Sequence, residues 1–213
     1  MSPDRPDILG LEAFALEQGG YFDRSDAHRY GFSDHLLQHH IRTGRFERDL
    51  PGVYRLRFAP PTPDDEYLLA WVWTNYRGAI SHESALALYG LSDVLPTRVH
   101  VTVPRPFHRV SAPFVQVHLA PLPEGDARLY HGMRVTAPAR TIVDAAASGT
   151  DPTQIHRAVQ EAFDRGLVDA ATLRAAAVRR PNQHRRGVRK LIEDAVATVT
   201  GAWALSMGLG ANR

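Results

Sequence analysis

Apolar residues recur at helical spacing over the first 44 residues and then switch to alternation. In "ILGLEAFALEQGG", Ile8, Leu11, Phe14 and Ala15 share one stripe, which stops at Gly19-Gly20. The stretch "YFDRSDAHRYG" predicts a short second helix, capped by Asp23 or Ser25 and ended by Gly31. "FSDHLLQHHIRTG" predicts a third, with Ser33 as N-cap, Asp34 in the first turn and Gly44 at the C-terminus. Its apolar positions, Leu36, Leu37 and Ile41, face inward. "RFERDL", the turn Pro51-Gly52 and "VYRLRF" then read as a hairpin. Three short helices followed by a hairpin is the order of a winged helix-turn-helix.

The prolines of "APPTPDD" can continue neither a helix nor a strand ladder, so residues 59–63 read as a semi-rigid linker. Beyond it "DEYLLAWVWTNY" and "SHESALALYG" predict helices, the second capped by Ser81 and closed by Gly90. Val and Thr at alternate positions mark strands in "RVHVTVP", "FVQVHLAPL" and "MRVTAP". "ARTIVDAAAS" starts a helix after Pro138, and Asp151 and Asp169 open two more amphipathic helices. The tail from residue 196 is Gly- and Ala-rich without a stripe and stays unassigned. The expected architecture is α+β: a winged helix-turn-helix over residues 1–58, the linker, and a mixed helix–strand domain over 64–195.

A chain of 213 residues with 44% hydrophobic and 23% charged residues fits an ordinary globular protein. The absence of cysteine excludes disulfides and thiolate metal sites. No apolar run is long enough to cross a bilayer, and the start lacks the pattern of a secretory signal, so the default compartment is the cytoplasm. Net charge is only +2, so a nucleic-acid surface must be local. The basic residues are almost all arginine, Lys190 being the one lysine. Contact with phosphate or guanine favours such a bias, and so does a GC-rich genome.

Local chemistry sits in the third helix and hairpin. Opposite the apolar stripe the helix carries His35, Gln38, His39 and Arg42, next to Ser33 at its cap. Gln and Arg can bond base edges bidentately, and His can donate to a phosphate or a base acceptor. The hairpin adds Arg45, Arg48, Arg55 and Arg57, where a wing meets backbone phosphates. The expected partner is duplex DNA. A protein-interaction module with a degenerate winged helix is the alternative, since the charge of the whole first segment is near zero.

The run "EQGGYFDRSDAHRYGFSDHLLQHHIRTGRFERDLPGVYRL" resembles the N-terminal winged helix of AbiEi-type antitoxins, from type IV toxin–antitoxin pairs. Downstream, "AISHESALALYGL", "VHVTVPRP" and "MRVTAPARTIVDAA" resemble the second domain of the same proteins. The resemblance implies a repressor of its own operon, an inverted-repeat operator and a nucleotidyltransferase-like toxin partner, with or without direct contact. A lone regulator without a toxin is the variant of that reading. Many relatives continue into an endonuclease-like domain; this sequence stops after its tail, so no nuclease role is carried over.

Other constellations carry less. His82-Glu83 in "SHES" lacks the second His of a zincin, since Leu86 stands at that place. His35 and His39 have a metal-compatible spacing but no third ligand. Arg140 and Asp144, four apart, read as a helix ion pair. "GLGANR" lacks the Lys and Ser/Thr of a phosphate loop. No catalytic set, metal site or cofactor is expected. Arg179, Arg180, Arg185, Arg186, Arg189 and Lys190 form a basic run that reads as a solvated face, a second DNA contact or a dock for an acidic partner.

Overall fold

The computed structural model describes residues 5–109, 112–179 and 185–206, the side chains of 185, 186 and 202–206 excepted. The chain forms two compact units, Met1–Ile80 with Val101–Leu122 and Leu129–Arg134, and Ser81–His100 with Pro123–Arg128 and Val135–Arg213. The Pro-rich stretch at 59–63 is therefore internal to the first unit. Ala59 is buried there, and the Pro60 carbonyl accepts from Arg55 at 3.1 Å.

The first unit begins with α1 (Ile8–Leu16), β1 (Tyr21–Asp23), α2 (Arg24–Arg29), α3 (Asp34–Arg42), β2 (Phe46–Leu50) and β3 (Val53–Leu56). This is a winged helix-turn-helix. Asp7 starts α1 by accepting from the Gly10 amide at 2.8 Å. At Gly20 the chain has φ +90°, and a Cβ there would lie 2.4 Å from that of Ala59, so only glycine fits. Asp23 and Asp26 form a reciprocal capping box on α2. Ser33 caps α3, its Oγ accepting from the Leu36 amide at 3.3 Å.

The wing is a three-stranded antiparallel sheet in the order β1-β3-β2, turning at Gly52 and bulged between Arg48 and Leu50. Its third strand, β1, lies just before the predicted second helix and was not expected. All three of its residues are buried, so there is no alternation to betray it. Leu11, Ala15, Phe22, Phe32, Leu37, Phe46 and Leu56 close the core. Phe22 meets Phe46 edge-on with centroids 5.1 Å apart and stacks on Tyr54 at 5.6 Å.

After α4 (Asp65–Trp73), consecutive left-handed residues Asn75 and Tyr76 turn the chain into β4 (Ala79–Ile80). That strand pairs antiparallel with β5 (Val99–Val103), Ala79 opposite Thr102. With β6 (Val115–Leu119), β7 (Ala127–Tyr130) and β8 (Met133–Thr136) they make a sheet in the order β6-β5-β4-β8-β7. β4 and β7 were not legible: β4 is two residues long, and "ARLY" is largely exposed without a clear apolar face.

The second unit is helical: α5 (His82–Tyr89), α6 (Pro138–Ser148), α7 (Pro152–Asp164), α8 (Ala170–Arg179) and α9 (Arg185–Ser206). Gly90 closes α5 in the left-handed region, as its sequence predicts. Ser81 holds the N-cap position of α5 but makes no side-chain cap bond; its Oγ lies 2.9 Å from His82 Nδ1. The stretch from residue 196 is not structureless: α9 runs to Ser206 and buries Val196 and Val199.

Candidate nucleic-acid interface

The α3 helix turns one face to the core and leaves the opposite one open. Leu37 is fully buried, with Leu36 and Ile41 packed partly against the core. His35, Gln38, His39 and Arg42 are exposed, as is Ser33 at the cap. Their spacing of three and four residues sets them in one row on the helix. His40 belongs to the other side. Its ring lies 5.0 Å from that of Phe46, and burial, aided by the Arg45 charge, pulls its pKa down. It therefore serves packing as a neutral ring.

The four wing arginines divide into two pairs. Arg48 and Arg57 are exposed and make no ion pair among the described residues. Arg45 reaches back to Glu12 on α1 at 2.7 Å. Arg55 is withdrawn further, with its side chain only 18% exposed and paired with Asp65 at 2.8 Å. Its guanidinium also lies over the Tyr21 ring at 5.2 Å and donates to Pro60. Arg55, expected to grip phosphate, thus stands on the middle strand β3 with its guanidinium already engaged by Asp65, Tyr21 and Pro60.

Between α3 and the wing turn lies a cleft of about 650 Å³. Gln38 lines it from α3, Arg48, Pro51 and Gly52 from the wing, and Arg24 and His28 from α2. Asp34 stands among these side chains. Arg24 donates to it through Nε at 2.7 Å and also through its terminal nitrogen, and His28 Nε2 lies 2.9 Å away. Those bonds, Arg24's first, hold the Asp34 carboxyl below the usual carboxylate range.

Arg109 also lines the cleft. It follows β5, on a segment with no local pattern that would place it near the wing. Its Nη1 lies 3.5 Å from the point a Cβ on Gly52 would occupy. Burial lowers its pKa, opposed by the nearby Asp23 charge. Only a signal of long-range proximity could have found it.

Tyr76 donates to Asp26, the N3 residue of the α2 capping box, and Asp26 also accepts from Arg29 at 2.5 Å. Burial pushes both the Tyr76 phenol and the Asp26 carboxyl up, so the phenol keeps its proton as donor. This bond fixes the start of α2 to the turn after α4.

The remaining candidates lie in the second unit. Arg140 bonds Asp144 at 2.7 Å within α6, as the spacing predicts, and also Asp126 at 2.6 Å. Of the basic run, Arg179 lies 3.9 Å from Asp126, while Arg189 and Lys190 are exposed on α9. Arg180 lies outside the described residues, and the side chains of Arg185 and Arg186 are likewise not described.

Fold and surface define an α+β protein with an N-terminal winged helix. The chain belongs to the AbiEi antitoxin family: the model of the AbiEi antitoxin C-terminal domain matches residues 78–194. Among solved structures it is similar to the RV2827C protein from Mycobacterium tuberculosis, at a TM-score of 0.56 and 15% identity. That similarity covers 88% of this chain and 79% of the other, and bears on the fold. No curated protein matches. Among the described residues, no helix is long and apolar enough to cross a membrane.

Proposed function

We propose that the protein is a sequence-specific repressor that binds duplex DNA through residues 1–58 and acts as the antitoxin of a type IV pair. The observation that carries this reading is the uncommitted polar face of α3. Gln38, His39, Arg42 and His35 project from a helix whose other side is anchored in the core, beside a wing with free Arg48 and Arg57. A major groove about 12 Å wide admits such a helix, and bidentate contacts from Gln and Arg distinguish bases within it. Arg48 and Arg57 then meet phosphates, which position without specifying. Arg45 contributes there only on leaving Glu12. Membership in the antitoxin family supports an operator of inverted repeats before the chain's own gene and a nucleotidyltransferase-like toxin as its counterpart. In this reading residues 64–195 form the antitoxin-type domain, and no catalytic residue is required.

Fluorescence anisotropy with the full chain and the duplex upstream of its gene tests the proposal. Specific binding should exceed that to a scrambled duplex by about 10³-fold or more. Equal affinity for the two duplexes would leave a non-specific binder and sink the repressor reading.

A further inference from the structure

We infer that Arg109, outside the winged helix in sequence, completes a seat for a backbone phosphate between α3 and the wing turn, together with Arg48 and Arg24. The inference rests on the DNA-binding reading and extends the contact surface to the segment after β5.

Three guanidinium groups line the cleft, from Arg24, Arg48 and Arg109, against two carboxylates, from Asp23 and Asp34. Asp34 is engaged by Arg24 and His28, and Asp23 accepts from Ser25 and the Asp26 amide. One positive charge is left unmet, and a phosphodiester carries one negative charge. Arg109 is the group most in need of it. The side chain is half-buried against the Gly52 turn, makes no ion pair among the described residues, and its charged form is disfavoured by that burial. A guanidinium fork held in place binds phosphate bidentately, with little ordering left to do. Gln38 shares the cleft, so a strand bordering the groove read by α3 would pass over this seat. At about 650 Å³ the cleft has room for a stretch of sugar and phosphate rather than a lone ion.

The test is a salt series of duplex binding by the full chain carrying Arg109→Ala, Arg109→Gln or Arg109→Lys. Arg109→Ala and Arg109→Gln should weaken upstream and scrambled duplexes alike, about three- to tenfold, and make the slope of log affinity against log salt shallower by about one. Arg109→Lys keeps the charge and should keep the slope. Should Arg109→Ala not fold, Arg109→Gln carries the same reading. Wild-type affinity and slope in the neutral variants, while the wild type binds duplex, would overturn the seat and leave the repressor intact. A loss confined to the upstream duplex would make Arg109 a base reader and equally overturn it. If the wild type binds no duplex but takes up an acidic peptide, the repressor reading fails first and this one with it.

Discussion

Arg140 on α6 and Arg48 on the wing carry the same guanidinium into opposite surroundings. Arg140 is 15% exposed and divided between two carboxylates, Asp144 at 2.7 Å and Asp126 at 2.6 Å, the first of them wholly buried. Burial opposes its charge, yet the two acids outweigh burial and raise its pKa. Arg48 is exposed at the edge of the cleft and makes no ion pair among the described residues. The first arrangement has spent its bonding capacity inside the protein; the second keeps all five donors for a partner. Arg55 resembles Arg140 more than its neighbour Arg48, despite sharing a hairpin with the latter. Commitment, not residue type or position in a motif, separates a structural arginine from a binding one.

Removing the committed partner should have the largest effect. Arg140→Ala takes the guanidinium away from the buried Asp144 carboxylate and should destabilise the protein by about 3–5 kcal/mol, as for other broken buried pairs. Urea denaturation measures it. A loss under about 1 kcal/mol, the worth of a surface pair, would show that Asp144 is satisfied without Arg140. Duplex affinity, corrected for the folded fraction, should not change.

Next come the residues facing the groove. Arg42→Ala or Gln38→Ala should cost about 1–3 kcal/mol at one base position while other positions keep their preference. Binding to a panel of single-base operator variants shows whether discrimination is lost at one position. Unchanged discrimination in both variants would remove α3 from the groove. Arg48→Ala should act differently, lowering affinity for every sequence and flattening the salt slope by about one unit. Arg55→Ala sharpens the contrast. It should lower stability by about 1–3 kcal/mol through its lost charged hydrogen bonds, yet leave the salt slope alone. A flattened slope in Arg55→Ala would mean that Arg55 leaves Asp65 on binding.

How far the sequence revealed this division depends on the range of the interactions involved. Helix caps and the exposed row of α3 were legible because they act within four residues: Ser33, Gly44, and the spacing of Leu37 and Ile41. The Arg140–Asp144 pair was legible for the same reason. Asp126, the second partner, lies 14 residues from Arg140, beyond any local pattern. Arg55 looked identical to Arg48 in the alternation, since nothing local says that β1 would pair on its other side and make β3 central. Arg109 joined the cleft through tertiary folding alone. The helical course of α9 past residue 196 was hidden by its glycine and alanine content; Val196 and Val199 gain from burial what the composition withholds.

The smallest predicted effect concerns Asp34, a cleft acid that competes with DNA. Asp34 holds Arg24 and His28 at the mouth of the cleft, all three side chains being about half exposed. A phosphate arriving there must displace it or share its cations. Asp34→Asn should therefore bind every duplex more tightly, and the salt slope should steepen by up to about one as Arg24 becomes free. The sign for folding is the reverse. A carboxyl held below its ordinary value adds stability above the unfolded pKa of about 3.9 and loses it as pH falls through the lower folded value. The wild type should thus lose stability below about pH 4 more steeply than Asp34→Asn, which has no such group to protonate. Parallel acid profiles would show that Asp34 and Arg24 do not interact in solution. Weaker binding by Asp34→Asn would mean instead that the carboxylate orients Arg24 for phosphate.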